Sequence, residues 1–240
     1  MVKAVNKKIS LSVIAPILNE EFFLPLYLDA VSQFADEILL LDGGSQDNTI
    51  KIVRNYQKSY QGLRFWQIPQ EGKPYEWAEG KRRNFLLNKA KGEWILILDI
   101  DEFISDKFLN FFNKMLLSNQ KTQVYGFSFL SFWGGMSCVR KNVVGDPCWE
   151  GPVYRLIKKK GAGYENKGNH SQLLFYGKYP FLCETAKVVE DITIFHYHYA
   201  LGKGFKTNDN RQDDYPEISV GEFKGRHPAV IRKYLGGETG

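Results

Sequence analysis

The sequence predicts an α/β fold built on a mostly parallel sheet, and three observations point to it. Short, mostly apolar runs recur through the first hundred residues. Segments with helical patterning separate one run from the next. Motifs rich in Asp, Glu and Asn stand just after the runs rather than inside them. Strands buried on both faces and alternating with helices imply a parallel sheet covered on either side, an α/β/α sandwich. Such sheets bind ligands at the carboxyl ends of their strands.

Leu11–Ala15 reads as the first strand, and Asn19-Glu20-Glu21 opens an amphipathic helix over Phe22–Phe34. Glu37–Leu41 is the second strand. Asp42-Gly43-Gly44-Ser45 then forms a turn, and Asp47 or Asn48 caps a helix running to about Ser59. Leu63–Ile68 supplies a third strand, Trp77–Lys91 a helix ended by Gly92, and Trp94–Leu98 a fourth strand. Asp106–Leu117 has helical spacing, whereas the chain from Val124 onward is aromatic, Gly-rich and strand-like. This change sets a soft boundary near residue 103. Residues 1–103 and 104–240 then read as two lobes of one compact domain.

At 240 residues, 43% hydrophobic and 25% charged, the chain has the composition of an ordinary globular protein. The net charge of +5 comes without a long basic run. With no basic stripe and no nucleic-acid motif, a nucleic-acid partner is not expected. The three cysteines, Cys138, Cys148 and Cys183, show no CxxC spacing, which argues against a disulfide framework or a zinc knuckle. A reduced, cytoplasmic location is expected, with peripheral contact at the inner face of the membrane allowed. The first ten residues are too polar for a secretory leader, and the apolar runs are too short to cross a bilayer.

Asp99-Ile100-Asp101-Glu102 ends a buried strand with three carboxylates in four residues. They repel one another unless a cation sits among them. Oxygen ligands suit Mg²⁺ or Mn²⁺, and such an ion would also bridge a diphosphate. In Asp42–Thr49 the glycines allow close backbone approach, and Asp42 can accept hydrogen bonds from a nucleobase or ribose. Asp47 there reads as a helix cap. Neither GxGxxG nor a P-loop is present. Lys81-Arg82-Arg83-Asn84 lies on the helix before the acidic strand, where cations can offset phosphates.

Pro16-x-x-Asn19-Glu20, Asp42-x-Gly44-Ser45-x-Asp47-x-Thr49, Arg83-Asn84 and Asp99-x-Asp101-Glu102 follow one another at spacings that resemble family 2 glycosyltransferases of the GT-A fold. The resemblance covers about the first 105 residues. It implies a GT-A-like, Rossmann-type sandwich and an inverting, metal-dependent hexosyltransferase with a DxD motif. The segment around Pro16, with Asn19, Glu20 and Asp42, would hold the nucleoside. Arg83 and Asn84 would assist, Asp99 would lie near the ribose and diphosphate, and Asp101 would ligate the ion, with Asp99 beside it. The donor would be a nucleotide-diphosphate sugar, UDP-linked by family habit. The acceptor would be a hydroxyl of a glycan, a lipid-linked molecule or another compound. The later half resembles the subset acting on bacterial surface polysaccharides, through Tyr154-Arg155-Leu156-Ile157-Lys158-Lys159 and Ile194-Phe195-His196-Tyr197-His198-Tyr199. Many of those relatives carry His-Glu where this chain reads His170-Ser171-Gln172, which leaves the base open.

Inverting transfer needs a base for the acceptor proton. Candidates are Glu150, Asp146, His170 and Glu184. Glu150 is favoured because its neighbour Trp149 could stack on a sugar; the alternative is an ordinary loop acid. His196 and His198 alternate on a strand and so share a face; one of them, with His196 preferred, could complete the metal shell beside Asp101, or each could instead support a ligand or pack in the core. Lys203, Lys206 and Arg211 suit a loop closing over the diphosphate, or a solvated surface. Phe132-Trp133-Gly134-Gly135 could offer acceptor surface, or pack in the core. Two other functions compete: a non-catalytic nucleotide-sugar-binding module, and a sugar-phosphate nucleotidyltransferase. The latter usually carries a Gly-rich phosphate loop where this chain reads Pro16-Ile17-Leu18-Asn19-Glu20.

Overall fold

The computed structural model describes residues 10–69, 78–118, 121–141, 151–167, 171–200 and 219–236. Its centre is four parallel strands: β1 (Leu11–Ile17), β2 (Glu37–Asp42), β3 (Leu63–Gln67) and β4 (Trp94–Ile97). They lie in the order β3-β2-β1-β4. Every residue of β2 and β4 is buried, as expected for strands covered on both faces.

Three helices make the crossovers. They are α1 (Phe23–Val31), α2 (Thr49–Gln57) and α3 (Glu79–Lys89). Pro25 is tolerated in α1 because it falls in the first turn, where no main-chain donor is needed. The observed elements match the expected ones to within a few residues at their ends. The largest difference is α1, which stops at Val31 rather than Phe34.

After β4 come β5 (Glu102–Ile104), α4 (Phe108–Leu117), β6 (Val124–Trp133), β7 (Cys138–Arg140) and β8 (Val153–Lys158). β8 pairs antiparallel with β4, Leu96 opposite Leu156, and β6 pairs antiparallel with β8. The sheet is therefore continuous across residue 103. β9 (Ala162–Tyr164) and β10 (Leu173–Phe175) form a separate hairpin. The long β11 (Ala186–Tyr199) runs parallel to β6 and antiparallel to β5. β12 (Val220–Glu222) pairs with β7, and α5 (Ala229–Tyr234) closes the described chain.

Two apolar layers flank the sheet. One, beneath α1 and α4, is centred on Tyr27, Phe103, Phe108 and Phe127; the other, beneath α3, on Ile14, Leu39, Ile95 and Ile157. Phe132 is wholly buried in the first layer, so it belongs to the core and not to an acceptor surface. Cys138 and Cys183 are free thiols. Among the described residues no helix is long and apolar enough to cross a membrane.

The amino edge of the sheet is tied by Glu37, which is only 2% exposed. Its carboxylate accepts from the Ser12 hydroxyl at 2.6 Å and from the Lys91 N–H, and pairs with Arg64 at 3.2 Å. Removing it leaves buried donors without an acceptor. Glu37→Ala should lower the unfolding free energy by about 2–4 kcal/mol in urea titrations. A change below about 0.5 kcal/mol, the scale of an ordinary surface substitution, would show that Glu37 does not tie this edge.

Candidate active site

The loops after β1 and β2 interlock at the carboxyl edge. Asn19, held at φ 52°, donates its N–H to Ser45 Oγ at 2.8 Å, and its side-chain oxygen accepts from the Gln46 N–H at 2.8 Å. Asn tolerates this left-handed conformation better than most residues. The Glu20 N–H donates to Thr49 Oγ1 at 2.6 Å. The Glu21 carboxylate accepts from the Asn48 N–H and side-chain amide at 3.0 and 2.8 Å. Asp42 is wholly buried, and its carboxylate accepts from the N–H groups of Gly44 at 2.9 Å and Ser45 at 3.2 Å. Gly44 sits at φ +104°, which glycine alone adopts without strain. Arg82 donates to the carbonyls of Leu41 and Ile68, both at 3.1 Å, and so fixes the ends of β2 and β3. Burial lowers its guanidinium pKa, a shift that Asp42 opposes.

The acids after β4 are separated by side chains from three other elements, two arginines and a pair of imidazoles. Arg83, on α3, donates to both oxygens of Asp99 at 2.8 and 3.1 Å and to Glu79 at 2.8 Å, with its guanidinium over the Tyr164 ring. One further nitrogen of Arg83 is buried without a hydrogen-bond partner among the described residues. Burial would raise the Asp99 carboxyl, but Arg83 and Arg155 outweigh it and hold it below its ordinary value. Arg155, on β8, pairs with the buried Glu102, whose carboxylate also accepts from the Asp99 N–H at 3.0 Å. Burial dominates there and raises the Glu102 carboxyl, against Arg155.

Asp101 faces β11. Its carboxylate lies 2.9 Å from His198 Nδ1 and 3.6 Å from His196 Nε2, and all three side chains place a ligand atom within 4.8 Å of the others. Ser131 Oγ is 3.2 Å from His196 Nδ1, which leaves Nε2 turned toward Asp101. The two imidazoles stack with centroids 5.8 Å apart. One carboxylate and two imidazoles form a donor set that fits Mn²⁺ and other divalent first-row ions.

The structure thus brings Asp101, His196 and His198 together, and sets Asp99 against Arg83. Asp99 turns its carboxylate to Arg83 and Arg155, outside the cluster of three. Pro16, Asn19, Glu20 and Asp42 lie on the two adjoining strand ends. The Asn84 amide is taken up by β9: it donates to the Tyr164 carbonyl at 2.9 Å and accepts from the Tyr164 N–H at 2.8 Å. Glu184 is exposed. Glu150, His170, Asp146, Trp149, Lys203, Lys206 and Arg211 lie outside the described residues. Sequence reasoning missed Glu79, Arg155 and Tyr164 as members of the charge network. Arg155 stood in a motif that had been singled out, but without a partner.

A model of the family described as Glycosyl transferase family 2 matches residues 12–182. The chain belongs to this family. It is 26% identical over 160 residues to an uncharacterized glycosyltransferase of Mycoplasma genitalium, a match covering 64% of this chain and 48% of that protein. It is 30% identical over 109 residues to the poly(ribitol-phosphate) beta-glucosyltransferase of Bacillus spizizenii, covering 43% of this chain and 17% of that one. The chain spans half or less of these relatives' length. Of solved structures, S. aureus TarS superposes with a TM-score of 0.57 at 19% identity, over 78% of this chain and 36% of that one. The mannosyltransferase PcManGT from Pyrobaculum calidifontis, in complex with GDP-Man and Mn²⁺, gives 0.53 at 15% identity, over 83% and 59%. These likenesses establish a GT-A-type fold for this family 2 chain.

The Asn84 clip has a direct consequence. Asn84→Ala should free the Tyr164 N–H, speed its hydrogen exchange and cost about 1–2 kcal/mol of stability. Unchanged protection at Tyr164 would mean the hairpin is held by other contacts.

Proposed function

We propose that the chain is an inverting, metal-dependent glycosyltransferase that moves a sugar from a nucleotide-diphosphate sugar to a hydroxyl acceptor in surface-polysaccharide synthesis. The observation that carries this reading is the convergence of Asp101, His196 and His198 beside the Arg83-bound Asp99, at the carboxyl edge of a family 2 sheet. The kinship with poly(ribitol-phosphate) glycosyltransferases supports the polysaccharide context.

In this reading the strand ends at Pro16, Asn19, Glu20 and Asp42 form the nucleoside-binding edge. The unpartnered nitrogen of Arg83 suits an anionic oxygen of the donor, with Asp99 holding the guanidinium in place. Asp101, His196 and His198 would hold Mn²⁺ or Mg²⁺; the two nitrogen ligands favour Mn²⁺. Bound there, the ion would offset the charge of the departing diphosphate. Glu150 or His170 would take the acceptor proton as the acceptor oxygen bonds to the anomeric carbon and the bond to the diphosphate breaks. Residues 1–103 would then form the nucleotide-sugar-binding lobe and supply Asp101, and 104–240 would bind the acceptor and complete the metal site with His196 and His198.

Thermal-shift titration with UDP and other nucleoside diphosphates, with and without Mn²⁺, tests the donor side, because a ligand that binds only the folded state raises the melting temperature. Asp101→Ala should abolish the Mn²⁺-dependent part of the shift, and a retained Mn²⁺ response would remove Asp101 from the site. Asp42→Ala should weaken nucleoside affinity by about tenfold, the scale of one lost hydrogen bond to a buried charged group. Wild-type affinity in that variant would place the nucleoside elsewhere. Release of free sugar or transfer to an acceptor, followed across several donors, separates an enzyme from a binding module.

A further inference from the structure

The C-terminal stretch of the described chain has no part in the reading above, yet it packs directly behind the Asp101 cluster. Tyr197 lies between the two histidines on β11 and points to the opposite face. It is 1% exposed, stacked flat on Phe132 at 4.8 Å and edge-on to Phe103 at 5.7 Å. Its main-chain N–H donates to the Asp101 carbonyl at 2.9 Å. Its hydroxyl meets His227 Nδ1 at 2.8 Å. So deeply buried a hydroxyl needs a hydrogen-bond partner, and the imidazole supplies it.

His227 is held as firmly from its own side. Its ring packs on Phe132 and Phe223 at 5.0 and 4.9 Å, and its carbonyl accepts from Arg232. Arg232 also reaches Asp106 at 3.1 Å, and the other oxygen of Asp106 accepts from the Ala229 N–H at 2.9 Å. Asp106 lies just beyond β5, five residues after Asp101. The segment therefore grips β11 through Tyr197 and, through Asp106, the far end of β5, the strand that follows Asp101.

We propose that residues 220–234 act as a clasp that sets the spacing of Asp101, His196 and His198, with Tyr197 and His227 as positioning residues for the bound ion. This rests on the metal-site reading given above. Neither residue touches the ion. Each fixes the strand on which the imidazoles stand, as groups behind a ligand commonly do.

The test is Mn²⁺ affinity of the full chain without donor, read from the loss of the free-ion electron paramagnetic resonance signal. Tyr197→Phe removes only the hydroxyl, and His227→Phe keeps a ring but loses the acceptor. Each should weaken Mn²⁺ binding by about tenfold. The double variant should be no worse than either single one, because both break the same contact. His227→Asn keeps an acceptor near Nδ1 and should restore most of the affinity, which a merely structural role would not do. Arg232→Gln loosens the Asp106 arm without touching β11 and should give a smaller loss, so the clasp remains testable if a core variant fails to fold. Wild-type Mn²⁺ affinity in folded Tyr197→Phe and Arg232→Gln, with Asp101→Ala still losing the ion, would overturn the clasp alone. Wild-type affinity in Asp101→Ala as well would overturn the metal site beneath it.

Discussion

Three carboxylates confined to four residues after β4 need separate partners, and the carboxyl edge of this protein is organised around that requirement. Two like charges about 4 Å apart cost on the order of 4 kcal/mol where the effective dielectric is about 20. That is a sizeable part of a domain's total stability. The structure meets this cost by giving each acid its own partner from a different element. α3 sends Arg83 to Asp99, β8 sends Arg155 to Glu102, and β11 sends two imidazoles to Asp101. The opposite pKa directions of Asp99 and Glu102 follow from how far each cation offsets burial.

The antiparallel placement of β8 follows from the same requirement. Pairing Leu96 with Leu156 continues the apolar core across the sheet, and it brings the preceding residue, Arg155, level with the end of β4. A parallel strand there would need a long crossover before it could deliver a side chain to the same edge. By contrast, the loops after β1 and β2 meet mainly through short hydrogen bonds from main-chain N–H groups to Ser45, Thr49, Asn19 and Glu21. That edge is shaped by backbone donors and the other by paired charges.

Much of the first half was legible because its signals are local. Apolar runs such as Ile38–Leu41 and Ile95–Ile97 are buried on both faces and read the same way from sequence as in the fold. The positions of Asp42, Asp99 and Asp101 after such runs followed directly. What was not legible depends on contacts distant in sequence. Asn84 faces Tyr164 across 80 residues, so its capture by the β9 backbone could not be read from the Arg-Asn pair. Arg155 meets Glu102 across 53 residues. Phe132 stood in an aromatic, Gly-bearing stretch that could be surface or core, and only the stacking partners Tyr197 and Phe195 settle it as core.

Alternation put His196 and His198 on one face, but alternation alone does not aim both rings at one carboxylate. The regular pairing of β11 with β6 ends at His196 opposite Ser131 and resumes at Tyr199 opposite Trp133. Three steps on β11 therefore face two on β6, so one extra residue is accommodated at 197–198. A bulge of this kind bends its strand and redirects side chains. Here the Tyr197 N–H bonds the Asp101 carbonyl, one step beyond the last β11–β5 pair, His196 opposite Glu102. That pulls the bulged turn of β11 onto the Asp-x-Asp loop and brings His198 closer to Asp101 than His196 is. The irregularity in the strand is thus what aims two imidazoles in register at a single carboxylate.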